Sequence, residues 1–106
     1  MRKLMTLLAA TALVLVLAVA YASAASEPVK SKNFAFGPKN VTISKGDKVV
    51  WKNVAGSHTV TFNNGSYDKS ISGDDRVSRK FTKTGTFRYF CRPHKALGMK
   101  GKVVVE

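Results

Sequence analysis

Short runs of β-branched and aromatic residues, separated by closely spaced turn signals, constrain the fold of this chain more than any other feature. From residue 33 onward no long stretch has the periodicity of a helix, and Gly, Pro, Asn and Asp interrupt the runs at short intervals. This pattern is typical of an all-β protein. We therefore predict an antiparallel β-sandwich or barrel of about seven short strands. The predicted strands cover residues 33–36, 41–44, 48–53, 57–62, 76–81, 86–90 and 101–106.

Two other stretches carry no strand pattern. Residues 25–32 have the composition of a flexible lead-in, so the predicted domain covers residues 33–106. Residues 66–71 are mostly polar and lie between two turn signals, at residues 63–65 and 72–74. The sequence leaves open whether residues 66–75 form a loop or a small helix.

The first 24 residues are organised like a secretory signal peptide. The start is basic at Arg2 and Lys3, residues 4–20 carry no charge, and Ala22-Ser23-Ala24 offers a cleavage site. Cleavage after Ala24 would leave 82 residues and lower the formal charge from +12 to +10. A retained membrane anchor is the alternative, because 17 uncharged residues just reach the length that spans a bilayer. We expect an exported protein, periplasmic or extracellular, or membrane-tethered if the segment is kept.

The cysteine content excludes a fold held together by an intramolecular disulfide, because Cys91 is the only cysteine. A domain of this size buries only about 60–65% of the surface of its unfolded chain, so its stability margin is small. A single thiol is also unusual in an oxidising compartment. These two observations suggest a stabilising metal at Cys91, with a buried thiol that packs as a small hydrophobic group as the alternative.

The chain has only four cysteine, histidine and methionine residues downstream of residue 24, and all four have side chains that can bind a metal. They are His58, Cys91, His94 and Met99, and the last three form the motif C-x2-H-x4-M. Two His and one Cys with a weak axial Met are the ligands of electron-transfer copper. Because four protein ligands leave no open position for a substrate, the set favours a Cu(I)/Cu(II) carrier over an enzyme. We predict one copper ion and no catalytic residue.

Other functions are compatible with parts of this pattern. Zinc could bind a Cys-His-His set, but a Met has no role there, and copper binds a given site more tightly. A copper storage or delivery protein remains an alternative, although such proteins usually expose an incomplete site. Basic residues interleaved with aromatics could bind nucleic acid, but export argues against that partner. The net charge of +12 also fits solubility or loose attraction to an anionic membrane.

Several motifs resemble those of the cupredoxins, the blue copper proteins, and in particular their plastocyanin branch. The matching segments are the loop at residues 91–99, the strand at residues 84–91, and residues 49–53 and 56–60. The resemblance covers nearly all of residues 32–106. It implies a Greek-key β-sandwich with copper near one end and His58, Cys91, His94 and Met99 as ligands. Amicyanin and pseudoazurin are related branches, but the four-residue gap before Met99 fits plastocyanin better than the shorter amicyanin loop.

Three positions depart from the family pattern, and none of them removes a ligand. Arg92 follows the cysteine where the family usually has Ser or Thr, whose hydroxyl would help to fix the region near Thr59. Ser57 stands where a Pro often precedes the first His. Phe90 stands where plastocyanins often have Tyr.

The resemblance also implies how partners bind. The edge of His94 would lie in an apolar patch through which electrons pass, and the protein would act as a monomer. The patch would consist of Pro93, Ala96, Leu97 and Gly98, with Gly37 and Pro38 facing them. A basic rim would consist of Arg92, Lys95, Lys100 and Lys102. Because weak redox encounters are steered by charge, we expect acidic redox partners.

Overall fold

The computed structural model of the chain describes residues 24–106, and the predicted signal peptide therefore lies almost wholly outside the described residues. Nine strands and one 3₁₀ turn follow in chain order. They are β1 Ser26–Lys32, β2 Ala35–Gly37, β3 Asn40–Ile43, β4 Lys48–Asn53, β5 His58–Phe62, β6 Asp68–Ile71, β7 Arg76–Lys80, β8 Gly85–Phe90, the 3₁₀ turn Lys95–Leu97 and β9 Lys100–Val105. Among residues 24–106, no helix is long and apolar enough to span a membrane.

The strands form two sheets, with the orders β2-β1-β4-β7 and β3-β9-β8-β5-β6. Strand β1 pairs in parallel with β4, and β3 in parallel with β9, while the other neighbours are antiparallel. The chain crosses repeatedly between the sheets, as in Greek-key sandwiches. The predicted all-β sandwich is confirmed, with nine strands instead of about seven. It is not purely antiparallel as predicted, because β1–β4 and β3–β9 are parallel pairs.

The core lies between the two sheets, where the inward side chains of alternate strand positions meet. In β4 these are Val49, Trp51 and Asn53, all buried. The Trp51 ring packs edge-on against Phe62 and Tyr89, with ring centroids 5.8 and 5.3 Å away. Such aromatic pairs stabilise a core beyond the area they bury, so they compensate in part for the small size of the domain.

The prediction of a flexible lead-in at residues 25–32 is wrong for residues 26–32. These residues form β1, which lies between β2 and β4 in the first sheet. Val29 and Ser31 point inward and are fully buried. The strand carries only one apolar side chain on its buried face, so the period-2 signal is weak in the sequence. Pairing on both sides stabilises the strand in spite of its composition.

The stretch 66–75 is neither a loop throughout nor a helix, because residues 68–71 form the edge strand β6. Strand β6 pairs with β5 alone, and Ile71 is its only buried residue. The first predicted strand also begins later than expected. Asn33 and Phe34 have φ of +52° and +62° and form the turn between β1 and β2.

The segment before β1 is attached to the turn between β3 and β4. The N–H of Ala25 donates to Oδ1 of Asp47 at 2.8 Å, and the N–H of Lys48 donates to the carbonyl of Ala25 at 3.0 Å. The second carboxylate oxygen of Asp47 accepts the N–H of Ser44 at 3.0 Å. These two backbone donors lower the pKa of Asp47.

Candidate metal centre

The predicted ligands lie at one end of the sandwich because of how the strands pair. His58 is the first residue of β5, and Cys91 directly follows β8. Strands β5 and β8 are antiparallel, so the start of one lies beside the end of the other. His94 and Met99 belong to the connection between β8 and β9, which covers the same end.

Three donor atoms converge there. The Cys91 Sγ lies 3.3 Å from His94 Nδ1 and 3.8 Å from His58 Nδ1, and the two Nδ1 atoms are 3.2 Å apart. Metal bonds to nitrogen and sulfur are about 2.0–2.3 Å long, so atoms at these separations can share one ion. A thiol and two imidazoles form a soft donor set that suits copper. The residues present therefore fit a copper ion.

The tautomer of His58 is fixed by the loop that precedes it. Its Nε2 donates to the carbonyl of Ala55 at 2.7 Å, which leaves the lone pair of Nδ1 directed toward Cys91. Gly56 allows the loop to pass this close, because it has φ of +81° and a Cβ there would lie 3.1 Å from Nε2. The loop thus leaves Nδ1 as the ring nitrogen that could bind a metal.

Asn53 holds this loop in place, although the sequence reasoning assigned it no role. Its Nδ2 donates to the carbonyls of Gly56 at 2.8 Å and Gly73 at 3.1 Å, and its Oδ1 accepts the hydroxyl of Ser31 at 2.7 Å. A polar residue at an inward position of β4, two residues after Trp51, is the signal that could have identified it. Buried amides occur where each polar atom has a partner.

The sulfur of Cys91 is fully buried and accepts a backbone hydrogen bond. The N–H of Thr59, the residue after His58, donates to Sγ at 3.4 Å. This hydrogen bond ties the sulfur to the start of β5, beside His58.

Met99, the fourth predicted ligand, is tied to Cys91 and His94 by the backbone of its own loop. The N–H of Cys91 donates to the carbonyl of Met99 at 3.0 Å, and the N–H of Met99 points to the carbonyl of His94 at 3.3 Å. The side chain of Met99 is fully buried. The loop therefore closes on itself, and Met99 belongs to the same buried core as Cys91.

His94 is the half-buried member of the cluster, whereas His58 and Cys91 are buried. The ring of Phe34 packs edge-on against His94 with centroids 4.7 Å apart, and Phe34 is 51% exposed. The sequence-based prediction did not include Phe34, because it lies 60 residues earlier, in the turn between β1 and β2. No local pattern signals that contact.

Comparisons with known proteins agree with this site. The family model described as copper binding proteins, plastocyanin/azurin family, matches residues 23–106. A plastocyanin of Scenedesmus fuscus is 37% identical over 84 residues, which is 67% of this chain and 86% of that protein. Amicyanin-alpha of Methylorubrum extorquens is 40% identical over 96 residues, 84% of this chain and 79% of that protein. The crystal structure of amicyanin from Paracoccus versutus has a TM-score of 0.69 at 30% identity, covering 76% of this chain and 81% of that one.

The two-sheet fold and the His–Cys–His cluster beside Met99 define a blue copper protein of the cupredoxin class. Proteins of this class carry single electrons between partner proteins on one type 1 copper ion, and this chain is such a carrier and not an enzyme. The family model spans most of the sequence, and the chain belongs to the plastocyanin/azurin family of copper-binding proteins.

Proposed function

We propose that this protein is an exported electron carrier in which His58 Nδ1, Cys91 Sγ and His94 Nδ1 bind copper, with Met99 as a weak axial ligand. The observation that supports this assignment best is the separation of the three donor atoms, 3.2 to 3.8 Å. Copper bound there supplies the Cu(I)/Cu(II) couple. Export rests on the organisation of residues 1–24 as a signal peptide.

The protein contributes rigidity. His58 and Cys91 are attached to strands of the second sheet and are buried, so their donor atoms have little freedom to move when the charge of the site changes. A site that changes little in geometry between the two oxidation states has a low barrier to electron transfer. His94 reaches the surface, so we propose its ring edge as the route for electrons.

Two exposed hydrophobic side chains support docking beside His94. Phe34 is 51% exposed and Leu97, in the 3₁₀ turn that follows His94, is 63% exposed. Small, weakly bound redox complexes need an apolar contact of this kind near the metal. We propose that Phe34 and Leu97 form the apolar docking patch.

A basic groove lies along β8 and β9 of the second sheet, next to the metal loop. It has a volume of about 330 Å³, and among the described residues that line it none is acidic. Its cationic side chains are Lys39, Arg88, Lys95, Lys100 and Lys102. Arg88 and Lys102 lie directly opposite each other on paired strands, an arrangement that repels unless an anion binds. We propose that the partner presents carboxylates to this groove.

Addition of Cu(II) to the purified apoprotein tests the ligand assignment. We expect an intense blue thiolate-to-copper band that ascorbate bleaches reversibly. Cys91→Ser should abolish the band, and Met99→Leu should keep the colour and shift the reduction potential. A colourless protein that binds copper tightly would instead support storage or delivery, and loss of all binding in Met99→Leu would contradict a weak axial role.

A further inference from the structure

Four residues around the metal loop form a closed ring of hydrogen bonds. The N–H of Arg92 donates to Thr59 Oγ1 at 2.8 Å, and Thr59 Oγ1 lies 2.9 Å from Thr61 Oγ1. Thr61 Oγ1 lies 2.7 Å from Asp68 Oδ1, and the same carboxylate oxygen accepts Nε of Arg92 at 3.3 Å. The ring thus begins and ends on Arg92 and joins the metal loop, β5 and β6.

The chemistry of the end groups fixes the direction of every hydrogen bond in the ring. A backbone N–H can only donate and a carboxylate can only accept. The Thr61 hydroxyl must therefore donate to Asp68, which leaves the Thr59 hydroxyl to donate to Thr61. Each hydroxyl then donates once and accepts once, so the ring has a single arrangement. Hydrogen bonds that are linked in series strengthen one another where they are shielded from water. Thr59 and Thr61 are only 6% and 7% exposed.

The ring is attached to the site on both sides. Thr59 follows His58 and also donates its own N–H to Cys91 Sγ at 3.4 Å, and Arg92 follows Cys91. A shift of Arg92 relative to Thr59 would therefore change the separation of two donor atoms. We propose that Asp68 and the side chain of Arg92 are positioning residues that close this ring and thereby hold Cys91 in place against His58. This inference rests on the proposed ligand assignment.

An ordinary surface ion pair would not have this effect. Arg92 and Asp68 make the only ion pair among residues 24–106, and their side chains are 52% and 45% exposed. Exposed pairs alone contribute little to stability. The hydrogen bond from Thr61, and then the charge of Arg92, lower the pKa of Asp68, in agreement with a carboxylate that is held in the ring. The Asp68–Arg92 pair closes the ring, and the buried hydroxyls of Thr59 and Thr61 transmit its effect to the site.

The test cuts the ring at two places away from the ligands. Thr61→Val removes two of its hydrogen bonds with little change of shape, and Asp68→Ala removes the common acceptor. Asp74→Ala is the matched control, because it removes the same charge from a turn residue outside the ring. The measurements are amide hydrogen exchange at Thr59 and Arg92 in the apoprotein, and the rate at which the copper-loaded protein loses Cu(I) to an excess of a chelator.

We expect exchange at the Arg92 amide and loss of Cu(I) to be about fivefold faster in Thr61→Val and in Asp68→Ala than in Asp74→Ala, as one lost hydrogen bond implies. The double variant should add little to either single change, because the ring is already open. Rates in both variants equal to those of Asp74→Ala, or effects that simply add, would overturn the proposal. If Asp68→Ala does not fold, the comparison of Thr61→Val with Asp74→Ala tests the proposal alone. The exchange data need no copper, so they judge the ring even if the ligand assignment fails.

Discussion

Gly56 illustrates how a single residue can determine the tautomer of a predicted metal ligand, His58. The Ala55 carbonyl selects the His58 tautomer only because the loop passes directly over the imidazole. At φ of +81°, a residue other than glycine is strained, and its Cβ would press on Nε2 from 3.1 Å. Position 56 thus combines a backbone requirement with a contact to the site.

We predict that Gly56→Ala weakens copper binding, because the added Cβ displaces the His58 ring from the Ala55 carbonyl. Gly65→Ala is a matched control, since Gly65 has φ of +73° and no atom within 4 Å of the added Cβ. Both variants should lose about 1 kcal/mol of unfolding free energy through backbone strain. Copper affinity, measured by competition with a chelator, should fall only in Gly56→Ala. Equal affinities in the two variants would show that the contact with His58 is unimportant.

At the scale of the elements, strand β7 protects an open edge of the first sheet with a charge that points inward. Val77 and Arg79 are its half-buried residues, whereas the other three are exposed. The Arg79 guanidinium lies 4.4 Å from the centroid of the Phe62 ring and 4.7 Å from that of Phe81. Burial lowers the pKa of Arg79, but an arginine remains charged at any physiological pH. An inward charge of this kind discourages a second chain from pairing with the edge.

We predict that Arg79→Ala lowers the free energy of unfolding by about 2 kcal/mol, through loss of cation–π contacts with the aromatic cluster. The uncovered rings and the unprotected edge should also cause self-association, visible in light scattering. Arg76→Ala, an exposed position on the same strand, should stay within about 0.5 kcal/mol of the parent and remain monomeric. A monomeric Arg79→Ala protein would contradict the edge-protection role.

The strands that could be predicted from the sequence are those whose own residues alternate clearly. Strand β4 has Val49 and Trp51 at inward positions, and its predicted and observed bounds coincide. Strands β1 and β6 could not be predicted, because each has only one buried apolar residue. Pairing with other strands orders them, β1 with β2 and the more distant β4, and β6 with its neighbour β5. The amino-acid composition of a strand does not show which other strand it pairs with.

The same distinction applies to the site. The four predicted ligands could be identified from the sequence because Cys, His and Met are scarce, and no other residues of these types follow residue 24. The residues that support them belong to common types, and their roles depend on strand register. The contact of Phe34 with His94 joins segments that are 60 residues apart. The position of Asp68 beside Thr61 depends on the register of the hairpin formed by β5 and β6.

At the scale of the whole molecule, the excess of positive charge should steer association with acidic redox partners. We predict that electron transfer to an acidic acceptor protein slows as ionic strength rises, because salt screens the attraction over about 10 Å at 0.1 M. Lys100→Gln, in the basic groove, should reduce the rate at low salt. Lys45→Gln removes the same charge near the end of β9, far from the metal loop, and should have a smaller effect. Stopped-flow rates that do not vary with salt would contradict the steering.

The Asp47 carboxylate links the overall stability to pH. Its pKa is lower in the folded protein than in the unfolded chain, so its contacts stabilise the fold above the ordinary carboxyl pKa. We predict that this contribution is lost as the pH falls below about 4. Between pH 7 and pH 3, the free energy of unfolding measured with a denaturant should decrease less for Asp47→Asn than for the parent protein. An identical decrease in the two proteins would show that groups other than Asp47 cause the loss of stability in acid.

The contact between Ala25 and Asp47 has a consequence for maturation. If the leader is removed after Ala24, the donor facing Asp47 at 2.8 Å is no longer a peptide amide but a free ammonium group. A neutral hydrogen bond would thereby become a charged one, which is shorter and stronger. Trimming of the precursor would then tighten the corner where its new first residue meets the sandwich, and blocking that amine by acetylation would undo the gain.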